Sequence, residues 1–279
     1  MNIALFAYDF PHKKTEDFLF RLNLYGYKPK IVIASPPKVL NLPKSILRDK
    51  YKHFSVIDPR FICEKLNIEY INLSHDSEKI VETIRENKID LGIISGARIL
   101  KKSVLDLFKH GVLNLHPGLI PYNRGLNTAK WAIKLGLPQG ISAHLIDEKV
   151  DAGKIISRYL IPLYSCDSLP EINLRLYEAE LYALIKSIYS ISKEEIPSFE
   201  YTHKHGFNKH HPPADEEIDE SVSSAFNEYL KIWSNDINEG WRCVCGNLLG
   251  DFNDEKQCKC GRIFESVGEL LRLVKDING

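Results

Sequence analysis

Apolar positions in this chain recur first with the period of a strand, then with that of a helix, and the alternation repeats. Asn2 to Tyr8 reads as a buried strand. From Thr15 to Tyr27, Phe18, Leu19, Leu22 and Tyr25 fall at helical spacing, and the helix ends before Gly26-Tyr27. Lys30 to Ala34 is a second strand, and the Pro- and Lys-rich stretch Ser35 to Ser55 reads as a loop or a short helix. Asp58-Pro59 marks a helix start, with Asp as cap and Pro in the first turn, and that helix reaches about Leu66. Glu69 to Leu73 is a third strand, Ser77 to Asn87 an amphipathic helix, Leu91 to Ser95 a fourth strand, Ser103 to His110 a helix and Val112 to Leu115 a fifth strand. Strands alternating with helices imply right-handed βαβ units. The fold class is α/β: a Rossmann-like, mostly parallel sheet with flanking helices.

The pattern changes after that. Thr128 to Leu135 reads as a helix, while Ile141 to Asp147 and Lys154 to Ile161 read as strands joined by a short turn and therefore paired antiparallel. Leu169 to Ile191 is a long amphipathic helix with Ile172, Leu176, Leu184 and Ile188 on one face. Phe199 to Pro213 holds His203, His205, His210 and His211 and reads as a polar surface loop. Asp215 to Trp233 is a helix whose first turn is acidic, as the macrodipole prefers. The expected organisation is a main domain over residues 1–191, a linker and helix extension over 192–240, and a small module over 241–279.

That last module is defined by its cysteines. Cys243-Val244-Cys245-Gly246 and Cys258-Lys259-Cys260-Gly261 are two Cys-x-Cys-Gly units joined by a turn-rich spacer. Such a pair suggests a small zinc ribbon held by Cys243, Cys245, Cys258 and Cys260, although ribbons usually space the pair as Cys-x-x-Cys. Four thiolates leave no open coordination position, so the zinc would be structural. Reduced thiols and a disulfide pair are the alternatives, and a cytosolic compartment disfavours the disulfides. Cys63 and Cys166 read as ordinary small buried residues.

Composition narrows the partners. Lys plus Arg equals Asp plus Glu at 37 each in 279 residues, and a balanced charge argues against a nucleic-acid partner, which needs a basic face. No apolar run approaches ~20 residues, so no membrane span is expected. The start MNIALFAYDF enters a strand at once without a basic region or cleavage site, so the expected location is the cytoplasm.

The chemistry concentrates between Gly111 and Ile155. There the chain reads GVLNLHPGLIPYNRG, then a helical segment, then GISAHLIDEKVDAGKI. Asn114 and His116 stand at i and i+2 of a strand, so both side chains project to one side, near the end where α/β sheets hold ligands. Asp151 follows the next strand and begins a turn through Gly153. Taken singly, the Asn and the Asp-Ala-Gly fit turns and the His fits a structural role. Their combination with the rigid His-Pro loop is more specific.

The two segments N-L-H-P-G-L-I-P-Y-N-R-G and H-L-I-D-E-K-V-D-A-G-K-I resemble the signature of the folate-dependent formyltransferases. That family includes glycinamide ribonucleotide, methionyl-tRNA and sugar N-formyltransferases. The resemblance covers roughly residues 1–190, and implies the formyltransferase fold for the domain over 1–191. It implies a catalytic set of Asn114, His116 and Asp151, and 10-formyltetrahydrofolate as the formyl donor. Formyl transfer passes through a tetrahedral, negatively charged oxygen, to which Asn114 would donate. His116 would be a second donor or the base for the amine, and Asp151 would set its charge state or relay the amine proton. The resemblance also implies a pterin-reading loop at Gly96, Ala97, Arg98, Ile99 and Leu100, a second wall including Ile146, Asp147 and Val150, and acceptor contacts at Tyr122, Arg124 and Gly125. One departure is Gly118, where many members carry Ser; here it reads as the loss of a hydroxyl, with no catalytic group missing.

Within the resemblance the expected acceptor is a small amine, with a nucleotide-linked amino sugar as the first candidate. Glycinamide ribonucleotide enzymes hold a phosphate on a Gly-Ser-Gly loop after the first strand, where this chain reads Ala7-Tyr8-Asp9-Phe10-Pro11-His12-Lys13-Lys14. Lys13 and Lys14 could still meet a phosphate through their side chains. Transfer-RNA enzymes add a basic C-terminal barrel, whereas this tail is acidic around Asp215 to Glu220 and bears cysteines. PYNRG and Trp131 resemble the sugar enzymes. Methionyl-tRNA and glycinamide ribonucleotide remain the alternative acceptors, release of formate to water is a variant of the same chemistry, and a non-catalytic binding module on this scaffold is the alternative from another class. A homodimer is compatible with each of these.

Overall fold

Six consecutive apolar or aromatic residues, Ile3–Tyr8, build the strand at the centre of the fold, and its inner side chains are fully buried. The structure is a computed structural model and describes residues 1–38, 41–51, 55–97, 99–147, 153–196, 210–234 and 240–276. After this first strand, β1, come α1 (Lys13–Leu24), β2 (Ile31–Ser35), α2 (Pro59–Leu66), β3 (Glu69–Asn72), α3 (Lys79–Glu86), β4 (Leu91–Ile94), α4 (Lys102–Leu105) and β5 (Val112–His116). The two-residue strand β6 (Arg124–Gly125), α5 (Thr128–Leu135), β7 (Gly140–Leu145), β8 (Lys154–Leu160) and α6 (Leu169–Ser192) follow. The chain then forms β9 (His210–His211), α7 (Glu216–Trp233), β10 (Trp241–Arg242), β11 (Leu248–Gly250), β12 (Glu255–Gln257), β13 (Ile263–Val267) and β14 (Leu270–Lys275).

Local chemistry sets the helix ends. The Asp58 carboxylate accepts the Arg60 N–H at 2.8 Å with Pro59 in the first turn, and Asn67 closes α2 in the left-handed region at φ 51°. Asp215 caps α7 by accepting the Ile218 N–H at 3.0 Å. At the start of α6 the Glu171 carboxylate accepts from the Ser168 backbone N–H at 2.7 Å, half of a capping box. The helix anticipated over 103–110 is a single turn, Lys102–Leu105. The His110 N–H is taken by the Asp90 carbonyl at 2.9 Å and the Gly92 N–H by Gly111 at 3.1 Å. Starting β5 beside β4 thus unwinds the last residues before it.

The main sheet has the order β12-β13-β14-β8-β7-β5-β4-β1-β2-β3. From β5 to β3 all pairings are parallel, as the βαβ alternation implies, while β7 and β8 pair antiparallel beyond β5. The cysteine-bearing segment does not stand apart from this sheet: β14 pairs antiparallel with β8, Leu271 opposite Leu160, so the last strands extend the same surface.

Two apolar layers cover the parallel half. Leu113, Leu115, Ile141 and Ala143 pack with Phe18 and Leu22 of α1 and Leu176 and Leu184 of α6. Val112 points the other way, into a second cluster with Ile80, Ile84, Leu100, Val104 and Phe108. Among the described residues no helix is long and apolar enough to cross a membrane.

Candidate active site

The alternation along β5 decides what faces what. Leu113 and Leu115 point to α1 and α6, so Asn114 and His116 point to the opposite face, where the cover is α3 and the one-turn α4. Asn114 is paired with His144 and His116 with Ser142 across β5 and β7, and directly opposed residues share a face. Four polar side chains therefore meet on one patch of an otherwise apolar sheet.

Each is held. Asn114 Nδ2 donates to His144 Nε2 at 3.1 Å, which requires the neutral tautomer of His144 with its proton on Nδ1. An amide nitrogen carries two hydrogens, so a second is left to donate. His116 is 4% exposed, and its Nε2 donates to the Asn123 carbonyl at 3.0 Å. A carbonyl only accepts, so Nε2 carries a proton. Ser142 ties the loop after His116: its Oγ donates to the Gly118 carbonyl at 2.8 Å and accepts the Ile120 N–H at 2.9 Å. Asn123 Nδ2 reaches the Thr128 carbonyl at 2.7 Å, and Thr128 Oγ1 donates to the Pro117 carbonyl.

Gly118 is more than a lost hydroxyl in this arrangement. A Cβ there would lie 2.5 Å from the Asn123 carbonyl oxygen and 2.8 Å from His116 Nε2. The loop closes onto His116 through the space a side chain would occupy. Gly125 is under a different constraint, at φ +98° with an added Cβ 2.1 Å from the His211 carbonyl oxygen.

The residues anticipated for the pterin fall into two groups. Ala97, Leu100 and Ile146 pack in the second apolar cluster, on the face that carries Asn114. Gly96 lies against the Tyr8 ring, with an added Cβ 2.6 Å from it, and the Tyr8 hydroxyl donates to the Ala97 carbonyl at 3.1 Å. Ile99 is 75% exposed and Asp147 is exposed. Arg98, Val150 and Asp151 lie outside the described residues.

The acceptor candidates are engaged by the chain itself. The Tyr122 hydroxyl donates to Asp276 Oδ2 at 3.1 Å and accepts from Arg262 Nη2 at 2.9 Å. Arg124 and Gly125 form β6, which pairs with His210 and His211 of β9. The stretch anticipated as a surface loop is thus partly structural: His211 is 3% exposed and stacks on Trp131 with centroids 4.4 Å apart. His203 and His205 lie outside the described residues.

On the other side of the sheet a cleft of about 720 Å³ opens beside Pro117, lined by His12, Lys14, Tyr51, Tyr177 and Glu180 among others. Lys14 Nζ bonds the Leu115 carbonyl at 3.1 Å and Glu180 Oε1 at 3.0 Å, while Lys13 pairs with Asp17 at 2.7 Å and Glu16 at 2.9 Å. Both lysines are therefore committed to carboxylates. Burial pushes the Glu180 carboxyl upward, opposed by Lys14. Burial, then the charges of Lys14 and Lys50, hold the His12 imidazole down at about 4. After β1, Tyr8 and Phe10 stack with centroids 5.2 Å apart, and Asp9 is occupied by Arg60, Tyr70 and Asn72. Sequence reasoning missed His144, Ser142, Glu180 and His12. The i, i+2 spacing of Ser142 and His144 matches that of Asn114 and His116 and was the available signal; nothing local announces Glu180, which a helix distant in sequence delivers.

The four sulfurs of Cys243, Cys245, Cys258 and Cys260 lie within 4.8 Å of one another, with Cys243–Cys260 at 3.5 Å and Cys245–Cys258 at 3.7 Å. Tetrahedral Zn–S bonds of ~2.3 Å put sulfurs roughly 3.8 Å apart, so the set fits a zinc ion. Asn247 Nδ2 donates to Cys245 Sγ at 3.1 Å and Arg262 Nη1 to Cys260 Sγ at 3.4 Å. Burial works against the Cys260 thiolate, but donors from Arg262 bring it down to about 6. Burial raises Cys243 and Cys258.

A family model described as formyl transferase matches residues 30–188, more than half of the chain, and the chain belongs to that family. A methionyl-tRNA formyltransferase from Buchnera aphidicola is 27% identical over 62% of this chain and 49% of its own length. A phosphoribosylglycinamide formyltransferase from Haemophilus influenzae is 33% identical over 41% of this chain and 55% of its own. The chain spans about half the length of the curated relatives it matches. Among solved structures, a sugar N-formyltransferase from Shewanella sp. superposes with a TM-score of 0.52 at 17% identity, covering 93% of this chain and all of that one.

Proposed function

We propose that this protein transfers the formyl group of 10-formyltetrahydrofolate to the primary amine of a small acceptor, with a nucleotide-linked amino sugar as the leading substrate class. One observation carries the reading: Asn114 and His116 emerge side by side from β5, and His144 fixes the amide of Asn114 at 3.1 Å. When bound, the folate supplies the carbonyl to be attacked. Asn114 offers its second N–H to the oxygen on which charge develops. His116 Nδ1 accepts the proton that the amine sheds, while Nε2 stays anchored to Asn123. Asp151 holds the charge of that imidazole or relays its proton onward. The apolar side chains of Ala97, Leu100 and Ile146 would support a flat ring on this face, and the family resemblance gives the reading of its edge to the loop that begins at Gly96.

The cleft beside Pro117 opens on the α1 and α6 face, and an acceptor held there would reach Asn114 and His116 around the C-terminal end of β5. Lys13 and Lys14 of this cleft are paired with carboxylates, which leaves Lys50 as the lining cation with which a phosphate of the acceptor would pair. The likeness to a sugar N-formyltransferase along nearly the whole chain supports the amino-sugar class. Cys243, Cys245, Cys258 and Cys260 would hold a zinc ion that cross-links the C-terminal strands and takes no part in the chemistry. Thiols kept for a metal suit the cytoplasm, where they stay reduced. The catalytic unit spans 1–191, with 192–240 as its linking extension and 241–279 as the zinc module.

The test is to incubate the protein with 10-formyltetrahydrofolate and a panel of amino-sugar nucleotides, glycinamide ribonucleotide and methionyl-tRNA. Release of tetrahydrofolate together with an acceptor heavier by one carbonyl identifies the substrate. Release without any formylated amine would instead indicate hydrolysis and sink the transferase reading.

A further inference from the structure

The tetrathiolate cluster and the His116 loop share a wall. Leu119, 3% exposed, packs in one apolar cluster with Cys243, Cys258 and Phe264, and Tyr122 packs against the same cluster. Above this contact lies a polar chain. The Arg262 guanidinium donates to Cys260 Sγ at 3.4 Å, to the Tyr122 hydroxyl at 2.9 Å and to Asp276 Oδ1 at 2.8 Å. Asp276 also accepts from Arg158 of β8 at 2.8 Å and from Tyr122 at 3.1 Å. Arg262, Arg158 and Asp276 are each less than a fifth exposed.

The guanidinium is planar and its donors are fixed relative to one another. Once the sulfur and Asp276 fix two of its edges, the third is aimed at Tyr122. Tyr122 is bonded in sequence to Asn123, and the Asn123 carbonyl is the partner of His116 Nε2. We infer that Arg262 is a positioning residue: through Tyr122 it lets the cysteine cluster set the carbonyl that anchors His116. The inference rests on the formyl-transfer reading for its effect on turnover, but the link to His116 stands on geometry alone. It gives the C-terminal strands a use beyond closing the sheet edge. The state of the cysteine cluster is felt at the reacting imidazole.

The test uses the full chain with Tyr122→Phe, which removes one hydroxyl and leaves all four cysteines and Arg262 in place, and with Arg262→Met as the second variant. Metal content is measured by elemental analysis, and His116 by nitrogen NMR of 15N-histidine-labelled protein, its signals assigned by their loss in His116→Gln. Tyr122→Phe is expected to keep the wild-type metal content. Its His116 is expected to show a smaller fraction of the Nε2-protonated form, and kcat to fall roughly threefold to tenfold, the size of one positioning hydrogen bond, with KM for folate little changed. Arg262→Met is expected to give the same His116 change. A Tyr122→Phe protein with wild-type His116 signals overturns the inference, whether or not an acceptor is known. A protein in which no acceptor is formylated but the His116 signals respond as expected would sink the functional reading and leave the link intact.

Discussion

Asn114 and His144 face each other across β5 and β7, amide nitrogen to imidazole nitrogen at 3.1 Å. The contact makes His144 the residue that decides where the second amide hydrogen of Asn114 points. Removing a donor to a developing oxyanion costs about a hundredfold or more in turnover, so Asn114→Ala is expected to lose that much kcat. His144→Ala leaves the amide in place but untethered, and a loss of roughly tenfold is expected. Because the two act as one unit, the double variant should be little worse than Asn114→Ala alone. Steady-state kinetics at saturating folate and acceptor check this; strictly multiplicative losses would show that His144 does not act through Asn114.

Gly118 has an ordinary backbone conformation but no space. Alanine or serine there must displace the Asn123 carbonyl or the His116 ring, since a Cβ would lie 2.5 Å and 2.8 Å from them. Overpacking of this kind costs about 1–3 kcal/mol, and here the displaced group is His116's own anchor. Gly118→Ala is therefore expected to lower both the unfolding free energy and kcat. Chemical denaturation and kinetics measure the two, and an unimpaired Gly118→Ser would show that the loop relaxes without disturbing His116.

Much of this was legible in the sequence for physical reasons that differ by element. The buried runs of β1, β2 and β4, the cap at Asp58 and the acidic first turn of α7 depend on local spacing, and all appear where local spacing puts them. The pairing of Asn114 with His116 on one face follows from the two-residue period of a strand. What could not be read were relationships set by register and topology. That β14 would pair with β8, that Tyr122 would turn to Asp276, and that His211 would stack on Trp131 depend on chain segments far apart in sequence. The two Cys-x-Cys-Gly units suggested a cluster despite their one-residue gap, but its attachment to the His116 loop needed Arg262 in three dimensions.

Metal removal should reveal that attachment as a loss of stability. Four sulfurs within 4.8 Å hold β10–β13 together at the edge of the main sheet, and a structural metal contributes its binding free energy to folding. The purified protein is expected to carry one zinc per chain. Prolonged treatment with a strong chelator, or Cys258→Ser, is expected to lower Tm and to increase hydrogen exchange in β12 to β14 before β1 to β5. Unchanged Tm after verified metal loss would count against a structural ion.

Lys130 and Asp219 form an ion pair 1% and 0% exposed, joining α5 to α7. The Asp219 carboxylate also accepts from the Ser45 hydroxyl at 2.8 Å and the Ile46 and Leu47 amides at 2.8 Å and 3.1 Å. Burial alone would raise its pKa, but these donors hold it below the usual carboxylate range. Removing one partner of a buried pair leaves a buried charge unmatched, at about 3–5 kcal/mol. Asp219→Ala is expected to cost that much by urea denaturation, and Lys130→Met with Asp219→Leu together less than Asp219→Ala alone. A loss below ~1 kcal/mol for Asp219→Ala would mean that water replaces the carboxylate.

His12 supplies a pH dependence with a definite sign. Its imidazole sits at about 4 in the folded protein against an ordinary 6.5, first because it is buried and then because Lys14 and Lys50 are near. A depressed folded-state value means the unfolded chain takes up the proton first. The stability that neutral His12 contributes is therefore complete above pH 6.5 and erodes as pH falls toward 4, by roughly 2–3 kcal/mol across that window. His12→Asn has no such proton to bind, so its unfolding free energy is expected to fall less than the wild type's between pH 7 and pH 4.5. Other groups titrate in both proteins alike, and the difference between the two curves isolates His12. Parallel curves over that range would show that the imidazole is solvated and the cleft wall around it open.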